Sequence, residues 1–294
     1  MRSFLVLAAS ALLIVAAGSA WVAMYPPLPH DLGGVADLDA RAGRVRIPVG
    51  ERDHVDGWLL RGSRPGTIVM FHGYGREHHR LWRYAQFLRR DGWSILAVDF
   101  RSSAARDRRP TTIGFYESED ARAALDWVER DARLGRGPVA LFAESLGGSV
   151  ALQVASERPE VAAVFADCPF ANGLLAVEDG CTCVEHLPVW PFAPLACLLG
   201  RLVTGHDPAS LDAVAAVRIF ADRPLFMVHA GLEDRFRARQ VHLLESVAGP
   251  RTESWRVLDA GHNQAWTKHR REYEQRASAF FLEYLAPARA SGMP

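Results

Sequence analysis

Ser145 stands at a corner of the sequence. The apolar run Val139 to Phe142 leads into Ala143-Glu144-Ser145-Leu146-Gly147, and a helical pattern, Leu146 to Ser156, starts directly after the serine. A strand–turn–helix corner of this form lifts one hydroxyl above a sheet edge. It needs small side chains two before and two after the serine, because strand and helix cross closely and the serine backbone is strained. Ala143 and Gly147 occupy those places. A serine hydroxyl is a weak nucleophile at neutral pH, so the chemistry also needs a base within hydrogen-bond reach and a third group that orients the base.

Both partners have candidates downstream, in the order serine, acid, histidine. The strand pattern Leu225 to Val228 is followed by His229-Ala-Gly-Leu-Glu233-Asp234, and the next one, Ser254 to Leu258, by Asp259-Ala-Gly-His262. Asp234 is assigned as the acid and His262 as the base. Glu233 is the adjacent alternative, with strand geometry deciding between them, and Asp167 is a reserve acid. Catalytic groups in open parallel sheets gather outside the carboxyl ends of the strands, which is where all three lie. His72-Gly73-Tyr74-Gly75 follows the strand pattern Thr67 to Phe71. Its glycines let the backbone turn an N–H toward a developing negative charge. The oxyanion donors are assigned to the backbone N–H groups of Tyr74 and of Leu146. His72 and His229 are read as structural, and His78 and His79 as helix-starting residues.

The surrounding elements must hold these groups at one edge. Short runs that are apolar on both faces (Thr67–Phe71, Ser94–Val98, Val139–Phe142, Val161–Phe165, Leu225–Val228 and Ser254–Leu258) suit buried parallel strands. Helical spacing fills the gaps between them: Leu81 to Leu88, Glu117 to Asp131, Leu146 to Ser156, Val241 to Val247 and Tyr273 to Leu285. Alternation of this kind predicts an α/β fold with a mostly parallel sheet covered on both faces. Arg44–Val49 and His54–Leu60 predict a hairpin at a sheet edge, where Pro48 is tolerated. One segment, Phe170 to Ala213, interrupts the alternation with Leu174, Leu187, Trp190, Phe192 and Leu198, and is read as a small helical lid.

The 294 residues carry a formal net charge of +0, with a single lysine, Lys268, so nothing points to a nucleic-acid partner. Phe4 to Tyr25 contains no charged residue and follows Arg2. A run of about 20 apolar residues suffices for a membrane-spanning helix and also suits a signal peptide, with Gly18-Ser-Ala20 as a small-residue cleavage site. Residues 1–25 are therefore expected to anchor or export the chain, with the catalytic domain extracytoplasmic. Residues 26–43 are read as a linker, 44–286 as the catalytic domain with its lid at about 170–213, and 287–294 as a tail. Cys168, Cys181, Cys183 and Cys197 allow disulfides in an oxidising compartment, or free buried thiols. Cys181-Thr-Cys183 with His186 matches no zinc spacing.

Taken together these residues resemble the α/β-hydrolase superfamily from about residue 44 onward, and within it BEM46-type and serine-aminopeptidase-like hydrolases, several of which carry an N-terminal anchor. Asp167-Cys-Pro-Phe170 adds to that likeness. Ala143 and Glu144 depart from the commoner Gly and Arg or His before the serine, and Glu144 argues against anionic substrates. The resemblance implies a serine hydrolase that works without metal or organic cofactor, and the apolar lid favours acyl chains over charged substrates, so carboxylic esters are the expected substrates. Peptidase, thioesterase and lipid-hydrolase activities are alternatives, as is a membrane-anchored binding protein without turnover.

Overall fold

The computed structural model describes residues 2–28, 40–103, 108–220 and 222–285. Most of the expected linker and the expected tail lie outside these residues. Eight strands form one sheet in the order β1-β2-β4-β3-β5-β6-β7-β8. They are β1 Gly43–Val49, β2 Asp53–Leu60, β3 Thr67–Phe71, β4 Ser94–Asp99, β5 Val139–Glu144, β6 Val161–Asp167, β7 Leu225–Ala230 and β8 Thr252–Val257. β1 and β2 form an antiparallel hairpin and β2 runs antiparallel to β4, whereas β3 to β8 pair in parallel with one another and with β4. Pro48 sits in β1, the outermost strand, where its missing N–H disturbs no interior ladder.

Alternate residues of the central strands feed two cores. Val69 and Phe71 of β3 join a core roofed by α3 (Phe115–Arg130), α4 (Leu146–Glu157) and α7 (Ala213–Phe220). Ile68 and Met70 face the opposite core with α2 (Trp82–Arg90) and α10 (Arg270–Leu285). This two-sided burial explains why the strand sequences are apolar throughout. β8 departs from the expected pattern. It is the far edge strand, and of its six residues only Val257 is buried.

The lid region folds as α5 (Gly173–Asp179), a π turn at Gly180–Val184 and α6 (Val189–Thr204). Two short helices, α8 (Ala238–Glu245) and α9 (Ala265–Lys268), follow β7 and β8. The N-terminal helix α1 (Arg2–Met24) packs along α6. Its contact stripe is Ala16, Ala20 and Met24, spaced one turn apart and buried, while Trp21 and Val22 face outward. Three polar contacts fix the end of the helix: the Tyr74 hydroxyl donates to the Ala23 carbonyl at 2.7 Å, the Thr111 N–H to the Met24 carbonyl at 2.9 Å, and Arg108 to the Pro26 carbonyl. Among the described residues no helix is long and apolar enough to cross a membrane. The N-terminal apolar run, expected as an anchor or leader, has its C-terminal half docked on the lid.

Candidate active site

β5 ends at Glu144 and α4 begins at Leu146, so Ser145 alone makes the turn. Its φ of 52° and ψ of −119° place it in the strained left-handed half of conformational space. Two backbone bonds hold it there: the Ser145 N–H donates to the Asp167 carbonyl at 2.7 Å, and the Ser145 carbonyl accepts from Ser149 N–H at 3.1 Å. The crossing is as tight as the motif requires. A Cβ on Gly147 would lie 2.6 Å from the carbonyl oxygens of both Phe71 and His72, and one on Gly73 would lie 3.2 Å from the Ser145 Cβ. Ala143, by contrast, fits fully buried within β5.

His262 presents Nε2 to the Ser145 Oγ at 2.9 Å, and its Nδ1 lies 2.8 Å from Glu233 Oε2. Glu233, not Asp234, is therefore the acid at the histidine. The reason lies in the two loops beyond β7 and β8. Gly231 N–H donates to the Val257 carbonyl at 2.8 Å, and Leu232 N–H to the Ala260 carbonyl at 2.9 Å. This lacing continues the sheet one residue further and turns residue 233 inward. Asp234 is consequently exposed. Burial pushes the Glu233 carboxyl up, but the hydrogen bond and charge of His262, with the amides of Arg235 and Phe236, hold it below its ordinary value. Phe236 packs edge-on to the imidazole, with ring centres 5.3 Å apart. The reserve acid Asp167 is buried behind the elbow, where the Tyr273 hydroxyl donates to it at 2.9 Å. Asp259 pairs with His269 at 2.6 Å on the surface.

His72 shapes the loop opposite the serine. Its Nε2 accepts from the Phe100 N–H at 3.1 Å, so its Nδ1 carries the proton and donates to the Gly73 carbonyl at 2.9 Å. Burial lowers its pKa and keeps the ring neutral. In a trans peptide the carbonyl of residue 73 and the N–H of residue 74 point in opposite directions. Anchoring the Gly73 oxygen therefore fixes the direction of the Tyr74 N–H, which has no acceptor among the described residues. The Leu146 N–H, at the first position of α4, has no intrahelical partner either. Gly75 takes a φ of +62° and passes close to Pro26, just after α1.

Glu144 was missed as a structural centre by sequence reasoning. It is fully buried and does not line the pocket. It accepts hydrogen bonds from Arg83 at 2.8 Å, the Tyr84 hydroxyl at 2.6 Å and Arg80 at 3.2 Å. Burial pushes its carboxyl up, but Arg80, Arg83 and Tyr84 outweigh that and hold it at about 2. The neighbouring Asp167, paired with Glu144 across the β5–β6 ladder, is raised to about 6 by burial and by the Glu144 charge. His78 bonds to Asp99 at 2.6 Å, away from the serine, and His229 is buried and lowered to about 4 by desolvation. The four cysteines are free thiols. Two groupings among the described residues could bring three metal donors together, Glu77–His78–His79 and Cys168–Glu233–His262, and the second is already engaged around the histidine.

Above Ser145 lies a cavity of about 260 Å³. Its apolar wall comes from Ala20, Ala23 and Met24 of α1, Val177 of α5, Ala196 of α6, and Leu146 and Phe170, while Arg76, Arg80 and Arg235 stand on its rim.

Comparison with known proteins agrees with this architecture. Residues 66–180 match the profile of the α/β hydrolase fold family. An uncharacterised protein of Mycobacterium tuberculosis is 30% identical over 227 residues, covering 76% of this chain and 73% of that one. The chain belongs to the α/β-hydrolase superfamily. A quorum-quenching protein, AidA, of Acinetobacter baumannii is 29% identical over 109 residues, 36% of each chain. Among solved structures, the Pyrococcus furiosus esterase Pf2001 superposes with a TM-score of 0.70 at 21% identity, covering 88% of this hydrolase and 100% of that chain. An acylaminoacyl peptidase of Pyrococcus horikoshii gives 0.63 at 15% identity over 86% of this chain and 43% of its own.

Proposed function

We propose that this protein is a serine hydrolase that cleaves carboxylic esters through an acyl-enzyme. The observation that carries the reading is the unbroken chain Glu233–His262–Ser145, at 2.8 and 2.9 Å. In this reading the Ser145 hydroxyl attacks the ester carbonyl while its proton passes to His262 Nε2. Glu233 keeps the imidazole in the Nδ1–H tautomer and stabilises its cation without taking the proton. The N–H groups of Tyr74 and Leu146 hold the tetrahedral oxyanion, a donor pair of the kind in which each member contributes about 3 kcal/mol to the transition state. His262 then protonates the departing alcohol oxygen. Water attacks the acyl-enzyme, gives its proton to His262, and the acid leaves as Ser145 recovers its hydrogen.

The small, largely apolar cavity and the likeness to an esterase support an ester with a modest acyl group over a peptide. A fluorophosphonate probe tests the proposal. Wild-type protein should label at Ser145 and hydrolyse phenyl butyrate, and Ser145→Ala should do neither; folded wild type that stays unlabelled would sink it. We also propose, from the charge-free run after Arg2, that the chain is membrane-anchored or exported; recovery of the intact chain from cytosol alone would contradict this.

A further inference from the structure

The rim of the cavity carries charge that the ester chemistry does not use. Arg76 and Arg235 stand beside Arg80 at the pocket, and neither has an ion-pair partner among the described residues. Arg80 is committed to Glu144 and to the Asn263 carbonyl, both at 3.2 Å. Arg76 is half-buried, so its charge is not fully hydrated. Burial, together with the cations of Arg80 and Arg235, pulls its pKa below the usual arginine value despite the opposing influence of Glu144. The acid on the pocket lining outside the histidine pair is Glu185, which takes a hydrogen bond from Ser19 on the α1 side. Glu144 is spent beneath the elbow on Arg80, Arg83 and Tyr84. The objection that Glu144 raised against anionic substrates therefore disappears.

Arg235 is exposed and Arg76 is half-buried. Like charges placed side by side with one of them partly dehydrated repel, and an anion placed between them relieves that repulsion while accepting guanidinium hydrogen bonds. We propose that Arg76 and Arg235 bind an anionic group, a carboxylate or phosphate, on the ester substrate, whose apolar part fills the cavity beneath. The substrate class is thus an amphiphilic ester with one oxyanionic substituent within reach of the serine. This inference rests on the ester-hydrolase reading for its catalytic meaning, but the rim can be tested without turnover.

The full-length chain and its Arg76→Gln/Arg235→Gln variant are compared on phenyl butyrate, para-carboxyphenyl butyrate and para-phosphonooxyphenyl butyrate. The ratio of kcat/KM for an anionic ester over the neutral one should fall roughly tenfold or more in the variant, as expected for loss of charge-assisted contacts. Added salt should lower the same ratio in wild type. The carboxylate and phosphate arms show which group is preferred. In parallel, octyl phosphate, octanoate and octanol are titrated by calorimetry into the Ser145→Ala protein with and without the arginine substitutions. The anions should bind more tightly than octanol, and that preference should vanish with Arg76 and Arg235. Equal binding of anion and alcohol to the Ser145→Ala protein, or an unaltered preference in the substituted one, overturns the anion site. Lack of hydrolysis and of fluorophosphonate labelling would instead remove the esterase reading, with the titration still deciding the rim.

Discussion

Replacing Glu233 by Gln should all but stop turnover, although the two side chains have the same shape. Both carboxylate oxygens of Glu233 accept hydrogen bonds: Oε2 faces His262 Nδ1 at 2.8 Å, and Oε1 takes the Arg235 N–H at 2.9 Å. An amide can satisfy only one of these donors. With its oxygen toward the fixed Arg235 amide, Gln turns its NH2 toward His262, so Nδ1 must become the acceptor and the proton moves to Nε2. The nitrogen that faces Ser145 Oγ at 2.9 Å would then donate rather than accept, and the base would be lost. The equivalent exchange in a serine protease triad lowers kcat about 10⁴-fold, or roughly 5 kcal/mol in activation free energy. Asp234→Asn should stay within about twofold, because that side chain is exposed and has no ion pair among the described residues. Rates on phenyl butyrate and of fluorophosphonate labelling at neutral pH measure both variants. A Glu233→Gln enzyme within tenfold of wild type, or an Asp234→Asn enzyme equally crippled, would refute the assignment.

Three further outcomes follow from the packing around the elbow. Gly147→Ala should cost about 3 kcal/mol or more, since its Cβ would meet two backbone oxygens at 2.6 Å that cannot swing aside; an unchanged thermal midpoint would contradict that crossing. Glu144→Gln should destabilise by about 3–5 kcal/mol, because Arg80 and Arg83 lose the charge that balances them, and chemical denaturation gives the value directly. The Glu144 carboxyl, at about 2 against an ordinary 4.5, contributes stability above pH 4.5 that is lost as pH falls toward 2. Asp167 acts in the opposite sense. Held at about 6 against 3.8, it makes the folded chain bind a proton more tightly than the unfolded one, so stability declines as pH rises from 3.8 to 6. Asp167→Asn should therefore gain on wild type by about 2–3 kcal/mol between the two ends of that window, and a difference that does not change with pH would show that Asp167 is not buried as described.

Much of the site could be read from sequence because its parts are local. Ser145 and the His72–Gly75 loop follow directly on apolar strands, and His262 lies in the loop just beyond β8, so strand ends alone place them at one edge. The acid was different. Glu233 and Asp234 are neighbours with the same chemistry, and the choice between them depends on how Gly231 and Leu232 lace onto the loop after β8, a pairing that joins residues almost thirty positions apart. The partners of Glu144 were hidden for the same reason, since Arg80, Arg83 and Tyr84 come about sixty residues earlier. For α1 the sequence showed an apolar helix but not that its C-terminal half packs on the lid. A lipid chain and a lid helix are both apolar surfaces, and hydropathy does not distinguish them.

The docking of α1 bears on how this protein is to be prepared. Apolar N-terminal segments are commonly trimmed to improve yield, and the Gly18-Ser-Ala20 stretch offers an obvious place to cut. Here that cut would take Ser19 and Ala20 out of the cavity wall and strip away most of the Ala16–Ala20–Met24 stripe that seats the helix on α6. The shortened protein would keep its triad yet display a wider, wetter pocket. Selectivity measured with and without α1 should therefore differ, and the two forms are to be screened side by side.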